Sequence, residues 1–129
     1  MCLAEDSGLE VAALGGTPGI YSARYSKVKD MSNMEYLLQQ MLQLKQRDAR
    51  FVTVIALLEK GDKLLHFEGV CEGSISYLPK GNNGFGYDPI FIPNGYDQTF
   101  GELPPHIKNA ISHRKKAVQS MVAYLTQSF

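Results

Sequence analysis

"RFVTVIALLEKGDKLLHFEGV", residues 50–70, decides the fold. β-Branched and apolar residues fill Arg50 to Glu59 with charges at both ends, which reads as a mostly buried strand. "KGDK", Lys60 to Lys63, has the composition of a tight turn, and Leu64 to Val70 returns. The two runs predict an antiparallel hairpin. Cys71 to Tyr77 follows as a third strand candidate.

Upstream of the hairpin, Asp30 to Arg47 predicts a helix. Met34, Leu37, Leu38, Met41 and Leu42 make an i, i+3, i+4, i+7, i+8 stripe, and Ser32 with Glu35 has the spacing of a capping box. The methionines in that stripe read as core filler. Downstream, Ser112 to Gln127 predicts a closing helix with Ala117, Val118, Met121, Val122 and Leu125 on its buried face. Met1 to Ala4 reads as a short strand or the end of one, and Leu9 to Leu14 as a second short apolar piece. "GGTPG", Gly15 to Gly19, is a loop by its turn chemistry. "PKGNNGFGYD", Pro79 to Asp88, is too rich in glycine for regular structure, and "PIFI", Pro89 to Ile92, is short and apolar. There is no internal repeat or low-complexity stretch. The expected fold is therefore α/β, with a mixed, partly antiparallel sheet flanked by helices.

The bulk numbers agree with a single packed domain. The chain has 129 residues, 44% hydrophobic and 20% charged, enough for a core and unlike a disordered segment. Thirteen basic residues balance thirteen acidic ones, so no net positive field argues for a nucleic-acid partner. The two cysteines, Cys2 and Cys71, lack metal-site spacing and suit a reduced, cytoplasmic setting. No apolar run approaches the about 20 residues that span a bilayer, and the N-terminus lacks signal-peptide character.

Four stretches carry unusual chemistry. "AEDSGLEV", residues 4–11, drives an apolar start into adjacent carboxylates, Glu5 and Asp6, then Ser7 and Gly8. It reads either as a solvated turn or as a strand end offering a carboxylate to a divalent cation such as Mg²⁺. Neighbouring side chains of an extended segment point to opposite faces, so one acid of the pair would serve a given site. In "GNNGFGYDP", residues 81–89, Phe85 between Gly84 and Gly86 can stack on a planar base or fold into the core, and Asp88 can accept from a base edge or a ribose. In "KNAISHRKK", residues 108–116, His113 and Arg114 fall in the first turn of the last helix. Cations oppose the helix dipole there, a mismatch that makes sense beside an anion or a carbonyl-bearing ligand; the alternative is a solvated basic face. "GGTPGIYSARYS", residues 15–26, places Tyr21, Arg24 and Tyr25 after a tight loop, as a ligand edge, a subunit contact or a plain surface loop.

Taken in order and at these distances, "AEDSGLEVAALGGTPGIYSARYS", "GFGYDPIF" and "KNAISHR" resemble the inosine-triphosphate pyrophosphatases over essentially the whole chain, residues 1–129, as one such domain. The resemblance implies Mg²⁺-dependent hydrolysis of non-standard purine nucleoside triphosphates (ITP, dITP, XTP) to the monophosphate and pyrophosphate, in a homodimer. By the match, Asp6 is the general base and a metal ligand with Glu5 beside it, and Ser7 contacts substrate. Phe85, Gly86, Tyr87 and Asp88 line the base pocket, which Lys108, His113 and Arg114 complete. The chemistry is coherent. Arg114 or Lys108 can donate to the oxygen at C6 of hypoxanthine or xanthine. Adenine would instead leave that donor unpaired, at about 1–3 kcal/mol. Guanine shares the C6 oxygen, and no residue is assigned to reject its 2-amino group.

Two departures stand out. Glu5 occupies a position where the family tends to have Asp. The family also begins with a further strand, a phosphate-holding S/T-x-N-x-x-K loop and a metal-binding glutamate that this sequence does not contain. The corresponding expectations are loss of the phosphate grip and an exposed sheet edge that self-association would cover. The alternative reading is a catalytically impaired module of that family that binds purine nucleotides or assembles with itself.

Overall fold

The computed structural model describes residues 2–26 and 29–127. The hairpin forms as the sequence predicts. β2 (Asp48–Leu58) and β3 (Leu64–Ile75) pair antiparallel from Leu58↔Leu64 outward, and Glu59 N–H donates to Lys63 O at 2.8 Å to close the turn. Gly61 and Asp62 take the positive φ that the tight turn needs. β3 runs unbroken through Val70 and Cys71, so the two expected strands after the turn are one.

β1 (Cys2–Val11) lies on the other side of β2, and the short β4 (Phe91–Pro93) borders β3. The sheet order is β1-β2-β3-β4, with every ladder antiparallel. The expected break at Glu5 to Gly8 is absent. Glu5, Asp6, Ser7 and Gly8 pair in sequence with Ile55, Val54, Thr53 and Val52. Gly8 serves a different purpose from a turn. A Cβ there would collide with the carbonyl oxygen of Gly19, which packs against the strand.

Strand alternation gives the sheet two faces. Leu9, Val11, Ala49, Phe51, Ile55, Leu57, Cys71 and Ile75 are buried on one. The core on that face continues into Tyr87, Ile90, Phe91, Phe100 and Leu103, with Phe51, Phe91 and Phe100 ring to ring.

α1 (Asn33–Gln40) is shorter than the predicted 30–47 helix. The capping box of Ser32 and Glu35 starts it as expected, and Leu37 and Met41 are buried. Just past its end the chain is held by Arg47. The buried guanidinium donates from Nη1 to Met41 O and Leu44 O, from Nε to Ile75 O and from Nη2 to Ser76 O. The segment after Gln40 is tied to Arg47 rather than continuing the helix, and Leu42 is exposed.

α3 (His113–Gln127) begins one residue past its expected start. Ser112 caps it, accepting from Lys115 N–H at 3.1 Å. The helix lies over β2 and β3, so closely at Gly69 that a Cβ would meet His113 O and Ala117 N. Its inner face carries His113, Ala117 and Tyr124, the last ring to ring with Phe67. Val118 and Val122, expected inside, are exposed. A short α2 (Pro105–Ile111) precedes it. The predicted elements do not include this helix, although Pro105 at its first turn is a start signal.

Candidate active site

One surface patch gathers most of the expected site residues. It lies on the core face of β1 and β2, where α2 and α3 meet. His113 is its hub. The ring stacks on Phe51 with centroids 4.9 Å apart and an interplanar angle of 15°. Burial pushes the imidazole down to about 4, with the Lys108 and Arg114 cations adding to the effect and Asp88 and Glu5 opposing it. His113 is therefore neutral at physiological pH, and its buried Nδ1 has no hydrogen-bond partner among the described residues.

Around the hub stand two ion pairs. Arg114 Nε donates to Glu5 Oε1 at 2.6 Å, an open pair at the surface. Lys108 Nζ donates to Asp88 Oδ2 at 2.6 Å, and Asp88 is 3% exposed. The same carboxylate accepts Phe85 N–H at 2.9 Å. Gly84 must lack a side chain, because a Cβ would run into Asp88 Oδ2, and Gly84 and Gly86 both take positive φ. The glycines thus wrap the loop around Asp88 and thrust Phe85 outward. Of the two sequence readings for Phe85 the exposed one holds: the ring is 79% exposed, with the Lys108 ammonium 4.5 Å from its centroid.

Tyr87 turns the other way. It is buried in the core, and its hydroxyl donates to Ser22 O at 2.7 Å, with burial raising its pKa. It supports the loop from beneath. Ser22 in turn holds β1, its Oγ accepting from Leu9 N–H at 2.8 Å. This gives the "YSARYS" stretch a structural role; the Tyr21 side chain lies outside the described residues. Tyr25 packs edge-on against Tyr36.

Glu5 and Asp6 part company. Glu5 shares a cross-strand row with Ile55 and Phe67 on the core face, beside Arg114. Asp6 is in the next row, with Val54 and Glu68, and alternation sends it to the opposite face. Among the described residues, no group of three His, Cys, Asp or Glu side chains could hold a metal ion together. Asp6 offers one exposed carboxylate. Ser7 shares Glu5's face, its Oγ 2.7 Å from Thr53 Oγ1. Thr53 and Phe51 are not among the residues expected at the site; the lone hydroxyl in the apolar run "FVTVIALL" is the signal that points to Thr53.

Two grooves, of about 390 and 360 Å³, share Glu72 and Asn94, the first extending to Glu10 and Arg50 and the second to Ile111 and Lys116, and neither is lined by any expected site residue. The patch at His113 is open rather than enclosed, and its chemistry singles it out more than its shape: a neutral ring, two cations, two carboxylates and a presented aromatic.

The Ham1 family matches residues 1–124. The chain belongs to the Ham1 family. Among its relatives, a dITP/XTP pyrophosphatase of Christiangramia forsetii is 48% identical over 128 residues, covering 98% of this chain and 67% of that one. Another, of Flavobacterium johnsoniae, is 49% identical over 127 residues, covering 97% and 66%. The solved structure of the Staphylococcus aureus Ham1 protein superposes with a TM-score of 0.92 at 41% identity, over 98% of this chain and 67% of that one. The chain spans about two thirds of the length of the curated relatives it matches.

Proposed function

We propose that this chain cleans the nucleotide pool by hydrolysing dITP and XTP, the substrates named in its relatives, and ITP to the monophosphate and pyrophosphate. The observation that supports it most is the convergence of Lys108, Arg114 and neutral His113 beside an outward-facing Phe85. A purine base can stack on the Phe85 face. Arg114 or Lys108 can donate to a C6 oxygen and would meet a second donor in adenine. Asp88 fixes the Lys108 ammonium and the Phe85 amide from below.

Asp6 is the proposed general base, taking the proton of the attacking water. Mg²⁺ is the proposed cofactor. A magnesium ion is commonly held by one or two carboxylates, waters and substrate phosphates, which the single Asp6 carboxylate fits and an Arg114-bound Glu5 does not. Bound there, it would neutralise phosphate charge. A cytoplasmic, homodimeric enzyme of a single such domain completes the proposal.

The test is release of pyrophosphate from dITP, XTP, ITP and ATP, with and without EDTA. Hydrolysis of the keto-purine substrates in large excess over ATP, lost with EDTA and in Asp6→Asn, supports the reading. Equal cleavage of ATP and ITP would sink the base-pocket assignment. The separation of Asp6 from the basic patch favours a second reading, a module that binds the base without hydrolysis. Calorimetry with IMP and ITP separates them, since binding without pyrophosphate release supports the module.

A further inference from the structure

We propose that Thr53 is a positioning residue that aims the Ser7 hydroxyl outward as a hydrogen-bond donor to an acceptor oxygen of a bound ligand. Thr53 is 0% exposed, in the inner strand β2, on the face that carries the patch. Its Oγ1 lies 2.7 Å from Ser7 Oγ, and Ser7 itself is exposed. A buried hydroxyl must spend its proton on a partner. Donation from Thr53 to Ser7 Oγ satisfies it and leaves the Ser7 proton pointing at solvent.

The surroundings say what that proton would meet. Ser7–Thr53 is the row between Glu5–Ile55, where Arg114 docks, and Leu9–Phe51, where His113 stacks. Thr53 pairs on its other side with Gly69, against which His113 O and Ala117 N are pressed. The hydroxyl pair therefore sits beneath the first turn of the fifteen-residue α3, beside the Arg114 cation, where an electron-rich ligand oxygen is drawn. Valine in place of Thr53 would keep the β-branched shape, and only the hydroxyl explains the threonine in this apolar run.

This rests in part on the proposed function, so the test has one arm that does not. Ser7→Cys is made with and without Thr53→Val, and iodoacetamide alkylation of the introduced thiol is followed peptide by peptide against pH. A hydroxyl that donates to the sulfur stabilises the thiolate. The alkylation midpoint should lie about one pH unit lower with the threonine in place than with Thr53→Val. Equal midpoints, or the reverse order, overturn the proposal.

In the second arm, Ser7→Ala and Thr53→Val should each lower kcat/KM for ITP by about tenfold, and the double variant no further. Thr53→Ser should stay near wild type. Losses that multiply in the double variant, or a Thr53→Val enzyme as active as the parent, also overturn it. A parent chain that neither binds nor cleaves ITP sinks the proposed function, while the thiol midpoints still decide for or against Thr53.

Discussion

Lys108 Nζ lies 2.6 Å from Asp88 Oδ2, and the carboxylate it touches is almost wholly out of water. Such a pair is asymmetric: breaking it from one side costs more than the pair contributes. Asp88→Asn keeps the shape but removes the negative charge that both Lys108 and the Phe85 amide donate to. The expected loss is about 1–3 kcal/mol in urea unfolding, moderated by the partial exposure of Lys108. Amide exchange at Phe85 should speed up with it. Unchanged exchange there would mean the loop holds itself without the carboxylate.

The His113 ring gives the protein an acid-side weakness. Its folded-state pKa of about 4 lies below the unfolded value of about 6.5. As pH falls, the unfolded chain takes up this proton first. The stabilisation from the neutral ring is complete above about pH 6.5 and drains away toward about pH 4. Full burial would make that about 3 kcal/mol; for a ring only part-buried, about 1–2 is the expectation. His113→Phe keeps the stack on Phe51 and should flatten the stability profile across this window. A slope as steep as the parent's would trace the acid sensitivity to other groups.

Arg47 joins the end of α1 to the end of β3 through four carbonyls, with Tyr77 covering its guanidinium at 4.1 Å. A lysine cannot reproduce the planar fork. Arg47→Lys should therefore cost about 2–4 kcal/mol, because buried carbonyls lose their donors. Thermal unfolding checks the size. Faster exchange confined to residues 41–47 and 75–77 checks the place.

Gly69→Ala asks whether the helix and the patch are one unit. The added methyl must push α3 off the sheet, a strain of about 1–3 kcal/mol. His113 and Arg114 ride on that first turn, so binding of ITP should weaken along with stability. A destabilised variant with parental affinity would show that the patch tolerates movement of α3.

These features differ in how plainly the sequence announces them. The 50–70 hairpin, the Ser32 cap and the last helix are local: turn chemistry, a three-residue spacing and a periodic stripe specify them within a few residues. The outward Phe85 is one of two readings of its loop; Asp88 lies where a Gly84 side chain would stand and accepts the Phe85 N–H, a packing the local sequence does not announce. The anchoring of the segment after α1 is a long-range event, with Arg47 reaching the Ile75 and Ser76 carbonyls 28 and 29 residues away. No local pattern near Gln40 encodes that tie. The turned face of α3 has a similar origin. Val118 and Val122 fit a generic apolar stripe, but the glycine at position 69 admits His113 and Ala117 instead. The pairing of Ser7 with Thr53 depends on strand register across 46 residues, beyond the reach of any local pattern.

Leu9 and Val11 are sealed at one end of β1, while Glu5 and Asp6 sit near the other. Sliding this strand by a single position past β2 would exchange which acid greets Arg114, yet would also turn both aliphatic side chains out into water. The hydrophobic anchor thus acts as a ratchet pawl for the polar end: packing a few residues along the strand keeps the two carboxylates from trading places.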